Sequence, residues 1–162
     1  MKINNYLNYL VPVELAEKLK NVGFDKSCLV YSAKHIQISK DLFIAFKDKI
    51  KVSTTSTHLE YCEQYTNNHF KKELKNINVF SIPTWEQVFE WFREKNLIGT
   101  IEYEDFYPDD KTCYYAYCIV NKLGKVIFYS VNYDIYETYE EAREALVNKL
   151  IEIYKNENNT VC

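Results

Sequence analysis

Hydrophobic and polar positions alternate with two different periods along this chain, and the change of period divides it into elements. "VELAEKLKNVGF" places Val13, Leu15, Ala16, Leu19 and Val22 at helical spacing. Pro12 precedes it, where a missing N–H costs little, and Gly23 follows as a C-terminal cap. "SCLVYSA" reads as a strand, and "HIQISKDLFIAF" alternates before becoming a nearly continuous apolar run. "STTST" is a loop by composition. From 58 to 74, Leu59, Cys62, Tyr65, His69, Phe70 and Leu74 recur as on an amphipathic helix.

The pattern is sharper after Pro83. Thr84 followed by Gln87 is a capping box, in which the Thr oxygen accepts a free backbone N–H and the Gln side chain reaches back. Trp85, Val88, Phe89 and Phe92 then form one apolar stripe, and Asn96 is a stop. "LIGTIEYE", "TCYYAYCIV" and "KVIFYSV" have strand character, with "NKLG" joining the last two and Gly124 free to take positive φ. Thr138 and Glu141 make a second capping box, opening a helix to about Asn156 through Ala142, Leu146, Leu150 and Ile153. The expectation is an α+β protein. A helix/strand N-terminal part, 1–82, precedes an α-β-β-β-α domain, 83–156, with a three-stranded antiparallel sheet; 157–162 is a flexible tail.

Composition supports a packed core: 47% of the 162 residues are hydrophobic, 27% are charged, and 15 are tyrosines. No run approaches the roughly 20 apolar residues of a membrane span, and "MKINNYLNYLVPVE" lacks the apolar core of a secretion signal, so a cytoplasmic protein that leaves membranes alone is expected. Five cysteines then fit reduced thiols better than a disulfide framework.

The net charge of −3 is unevenly distributed: residues 1–83 hold 12 bases and 8 acids, whereas 84–155 hold 8 bases and 14 acids. That distribution bears on one analogy. An α-β-β-β-α order is the topology of double-stranded RNA-binding domains, which need positive charge at the start of the second helix and in the first strand connection. Here those places read "TYEEAREAL" and "EDFYPDDK", so a double-stranded RNA partner is not expected.

Four constellations bear on chemistry. "EYEDFYPDD" holds five carboxylates, from Glu102 to Asp110, but no neighbouring base and no Asp-x-Asp-x-Asp-Gly loop; a solvated hairpin connection accounts for it. Cys28, His35, His58 and Cys62 supply zinc-type donors without the tight C-x2-C knuckle. No nucleophile elbow or phosphate-cradling glycine loop is present, so neither catalytic residues nor a cofactor is expected. Tyr114, Tyr115, Tyr117, Phe128, Tyr129 and Tyr133 lie on or beside two adjacent strands, and Tyr115, Tyr117, Tyr129 and Tyr133 are the candidate partner surface.

Three segments together carry a resemblance: "ELAEKLKNVGFDKSC" (14–28), "PTWEQVFEWFREKN" (83–96) and "TYEEAREALVNKLIEIYKN" (138–156). In content and order the chain resembles small proteins encoded by phages and prophages of gut Bacteroidales. The resemblance implies a phage-derived accessory protein in a bacterial cytoplasm and brings no activity or site residues with it. The leading expectation is therefore action by protein–protein interaction, with an unidentified protein partner or a second copy. The alternative is nucleic-acid binding through the Lys-rich N-terminal half, at Lys47, Lys49, Lys51, Lys71, Lys72 and Lys75. A metal-dependent enzyme built on the carboxylate cluster is third.

Overall fold

The computed structural model describes residues 8–28, 30–34, 42–46, 49–52, 78–105, 113–132 and 134–159. It is an α+β protein that divides into two compact units, 1–87 and 88–162. The sequence places the division near Pro83; it falls a few residues later, inside a helix.

The first unit contains α1 (Val13–Asn21) and four strands: β1 (Val30–Lys34), β2 (Leu42–Phe46), β3 (Lys49–Val52) and β4 (Asn78–Ile82). They form an antiparallel sheet in the order β3-β2-β1-β4, with Val30 opposite both Ile44 and Ile82. Helix α1 buries Leu15, Ala16 and Leu19 of the apolar stripe read from the sequence, while Val13 and Val22 are half-buried. Lys20 carries its ammonium 5.9 Å from the Phe80 ring centroid. Gly23 ends the helix at φ +88°, a conformation that a Cβ would penalise. The ambiguous "HIQISKDLFIAF" run contains β2. The helix expected over 58–74 lies outside the described residues.

Two backbone bonds fix the entry to the next helix. Val11 N–H donates to the Pro83 carbonyl at 3.0 Å, and Trp85 N–H donates to the Tyr9 carbonyl at 3.1 Å. Helix α2 (Trp85–Glu94) opens with the expected capping box. Thr84 N–H donates to Gln87 Oε1 at 2.9 Å, and Gln87 N–H donates to Thr84 Oγ1 at 3.2 Å. The Gln87 amide also donates to the Ser27 carbonyl at 2.8 Å, so the box anchors a loop distant in sequence. Thr84→Ala removes one cap bond and loosens Gln87. The expected loss is about 0.5–2 kcal/mol of stability, read as a lower urea midpoint with an unchanged slope; an unchanged midpoint would contradict it.

The second unit holds β5 (Leu97–Asp105), β6 (Cys113–Asn121), β7 (Val126–Tyr129), a 3-10 turn (Ser130–Asn132) and α3 (Tyr139–Asn159). With α2 the order is α-β-β-β-α, and the sheet is antiparallel, β5-β6-β7. Asn96, the expected stop, sits at φ +65°, a left-handed conformation that asparagine tolerates. Gly124 takes φ +77° in the β6–β7 connection, where Asn121 Oδ1 accepts from the N–H groups of Leu123 and Lys125.

Helix α3 lies against one face of this sheet. Gly99 on β5 has no side chain because the Leu146 side chain occupies that space. Trp91 and Phe92 of α2 meet Tyr154 of α3 edge-on, at 5.1 and 6.4 Å between ring centroids. The second capping box is also formed: Thr138 N–H donates to Glu141 Oε2, and Glu141 N–H to Thr138 Oγ1, each at 3.2 Å. The helix continues to Asn159, so the expected tail from 157 is helical at its start. Among the described residues, no helix is long and apolar enough to cross a membrane.

Candidate functional site

Strand alternation sorts the side chains of β6 onto two faces. Tyr115, Tyr117 and Ile119 share the α3 face, while Ala116 and Cys118 share the other. Register extends the sorting across the sheet: Tyr103 lies opposite Tyr115, Ile101 opposite Tyr117 and Gly99 opposite Ile119. On the far side of β6, Phe128 faces Ile119, and beyond the 3-10 turn Tyr136 pairs with Tyr115. That last pair exchanges both backbone bonds, at 2.8 and 2.9 Å, so Tyr103, Tyr115 and Tyr136 form one row across the sheet.

Interior to this row the rings are packed. Tyr117 is 4% exposed and stacks on Phe128 at 5.7 Å and on Tyr136 at 5.9 Å. Its backbone N–H donates to the buried Ser130 hydroxyl at 2.8 Å. Burial, reinforced by Tyr136, Asp134 and Glu152, pushes the Tyr117 hydroxyl well above the ordinary tyrosine range. Burial and Asp134 raise Tyr136 as well, against the hydrogen bond from Tyr117. Both phenols stay protonated at neutral pH and offer no base to a substrate.

Toward the row's outer end the rings open to solvent. Tyr103 is 59% exposed and meets half-buried Tyr115 edge-on, at 5.5 Å and 68°. Tyr139, the first residue of α3, is 42% exposed and also meets Tyr115 edge-on, at 6.0 Å and 82°. One helical turn further, the Arg143 guanidinium lies 5.5 Å from the Tyr139 centroid. The result is a rim of three rings in which half-buried Tyr115 touches both exposed ones. Exposed carboxylates at Asp134, Glu137 and Glu140 belong to the segment that ends on it.

The structure divides the four tyrosines selected from sequence. Tyr115 is on the rim, and Tyr117 is beneath it, packed and inaccessible. Tyr129 pairs with Cys118 and so belongs to the opposite face, where its hydroxyl donates to Glu102 Oε2 at 3.0 Å. Tyr133 lies outside the described residues. The four therefore do not form one surface, because strand alternation separates Tyr117 from Tyr129 across the sheet. Tyr103 and Tyr139, which complete the rim, lie outside the two strands that carry the sequence-based candidates. Tyr103 is identified only once the β5–β6 register is known, and Tyr139 is hidden within a capping sequence.

The remaining candidates are placed as follows. Lys49 and Lys51 belong to β3, at one end of the four-stranded order; Lys47, Lys71, Lys72 and Lys75 lie outside the described residues. Of the carboxylate cluster, Glu102, Glu104 and Asp105 lie on β5, and Asp109 and Asp110 are outside the described residues. Among the described residues, no group of three His, Cys, Asp or Glu side chains is placed to hold a metal.

Cys28 is fully buried and donates its thiol proton to the Lys26 carbonyl at 3.4 Å; His35, His58 and Cys62 lie outside the described residues. Burial pushes the Cys28 thiol up to about 12, against a smaller opposing effect of Ser81. A thiol in this state is a poor nucleophile.

The shift also predicts a pH dependence. The unfolded chain ionises this thiol near 9.0, whereas the folded chain holds its proton to about 12. The stabilisation is complete below the first value and is lost as pH rises toward the second, at up to about 1.4 kcal/mol per pH unit. Urea unfolding at pH 8 and pH 10 measures it. The wild-type chain is expected to lose about 1.4 kcal/mol more than Cys28→Ala over that interval; equal losses would contradict the account.

Compared with family models, curated proteins and solved structures, the chain has no match.

Proposed function

We propose that this chain is a non-catalytic accessory protein that acts by binding another protein through the rim of Tyr103, Tyr115 and Tyr139. The carrying observation is the solvent exposure of two large rings, Tyr103 and Tyr139, held in fixed edge-on contact with a third. Tyrosine offers large contact area with few rotatable bonds, which is why interfaces are enriched in it. A sheet and a capped helix hold these rings, so little ordering entropy remains to be lost on binding. The protonated phenols of Tyr117 and Tyr136 beside the rim favour a contact surface over an acid–base centre. The phage-type sequence pattern is consistent with such an accessory role in a bacterial cytoplasm.

The test compares the wild-type chain with Tyr103→Ser/Tyr139→Ser as immobilised baits in a bacterial lysate. Specific polypeptides are expected on the wild-type bait and absent from the variant, whose circular dichroism should be unchanged. Identical retention on both baits, or none on either, would reject the reading.

A further inference from the structure

We infer that the rim docks a cationic side chain, arginine or lysine, presented by a basic segment of the partner polypeptide. This rests on the binding reading above and adds the chemistry of what is bound.

Three observations converge on it. The first is ring geometry. Tyr103 and Tyr139 stand at 68° and 82° to Tyr115, so the three rings do not form a flat stack, and two of them are open to solvent. Ring faces carry negative charge density, so exposed tyrosine rings attract a cation.

The second is the behaviour of the same ring array toward its own cations. Arg143 is placed over Tyr139, and the Lys149 ammonium lies 4.6 Å from the Phe128 centroid on the same face of the sheet. The array thus meets positive groups at its helix side, where Glu152 also holds the Lys149 ammonium at 2.9 Å.

The third is charge. Residues 134–144, which carry Tyr136 and Tyr139, hold five acids (Asp134, Glu137, Glu140, Glu141 and Glu144) against the single base Arg143. Such a field attracts a basic segment and repels phosphate. It disfavours single-stranded nucleic acid, the other ligand that stacks on exposed tyrosines.

The experiment uses the full chain and a fluorescein-labelled nonapeptide of alternating arginine and glycine, followed by fluorescence anisotropy. A matched peptide with citrulline in place of arginine keeps the shape and removes the charge. The arginine peptide is expected to bind and the citrulline peptide not to bind. Tyr103→Ser/Tyr139→Ser, which leaves every charge in place, should weaken binding about 5–30-fold.

Unchanged affinity in that variant overturns the inference, because the peptide then reads only net charge. Tighter binding of a labelled single-stranded dodecanucleotide also overturns it. So does sedimentation showing a dimer that Tyr103→Ser/Tyr139→Ser dissociates, since a second copy would then be the occupant. If the arginine peptide fails to bind while the wild-type bait still retains polypeptides that the variant loses, the cationic assignment falls and the binding reading stands. Failure of both measurements removes both.

Discussion

Replacing Phe92 with alanine is expected to destabilise the C-terminal unit by about 3–5 kcal/mol. Phe92 is fully buried, and its ring meets Trp91 at 4.9 Å and Tyr154 at 6.4 Å, both edge-on. The substitution loses transfer free energy for the ring and leaves a cavity beneath two aromatics that cannot collapse without breaking those contacts. The contact joins α2 to α3, and α3 carries Tyr139, so the loss should reach the rim. Phe92→Leu keeps much of the volume and should cost far less, under about 1.5 kcal/mol. Urea unfolding followed by far-UV circular dichroism measures both. A cost below about 1 kcal/mol for the alanine variant would mean that α2 is not docked on α3.

Gly99→Ala is the second large effect, expected at about 1–3 kcal/mol. A Cβ there would meet Leu146 Cδ1 at 2.7 Å and Cδ2 at 3.0 Å. The far end of a leucine often yields to such an approach. Leu146 is completely buried, so its other rotamers are blocked by the surrounding core. The usual gain from replacing a strand glycine is therefore reversed in sign. A double-mutant cycle with Leu146→Ala isolates the clash: the two substitutions together should cost less than their sum by at least about 0.5 kcal/mol. Strict additivity would show that α3 does not press on β5 at this point.

The elements most legible in the sequence were those specified by local chemistry. Both capping boxes form with the bonds their spacing predicts, because an N-cap is satisfied within four residues of chain. Gly23, Asn96 and Gly124 adopt positive φ where a helix stop or turn was expected. The α-β-β-β-α order followed from the switch between periods of 3.6 and 2.

The site was less legible because its residues converge through pairing. Tyr103 reaches Tyr115 only through the β5–β6 register, and Tyr136 reaches it through an isolated bridge after a 3-10 turn. Tyr117 and Tyr129 look alike in sequence, yet the antiparallel register places them on opposite faces. Counting tyrosines on adjacent strands therefore groups residues of opposite faces and leaves out Tyr103 on β5 and Tyr139 on α3, which contact Tyr115. Cys28 belongs by type to a set of zinc-type donors, yet it is a buried core thiol, and burial makes it a poor source of thiolate.

The central claim is that the Tyr103 rim contacts a partner protein. It is tested most directly by placing a benzophenone amino acid at position 103 and, in a control chain, at Leu123, which is 85% exposed on the β6–β7 connection. After irradiation in a bacterial host, the account predicts a discrete cross-linked polypeptide from position 103 and none from position 123. Equal cross-linking from the two positions, or none from 103, would contradict it.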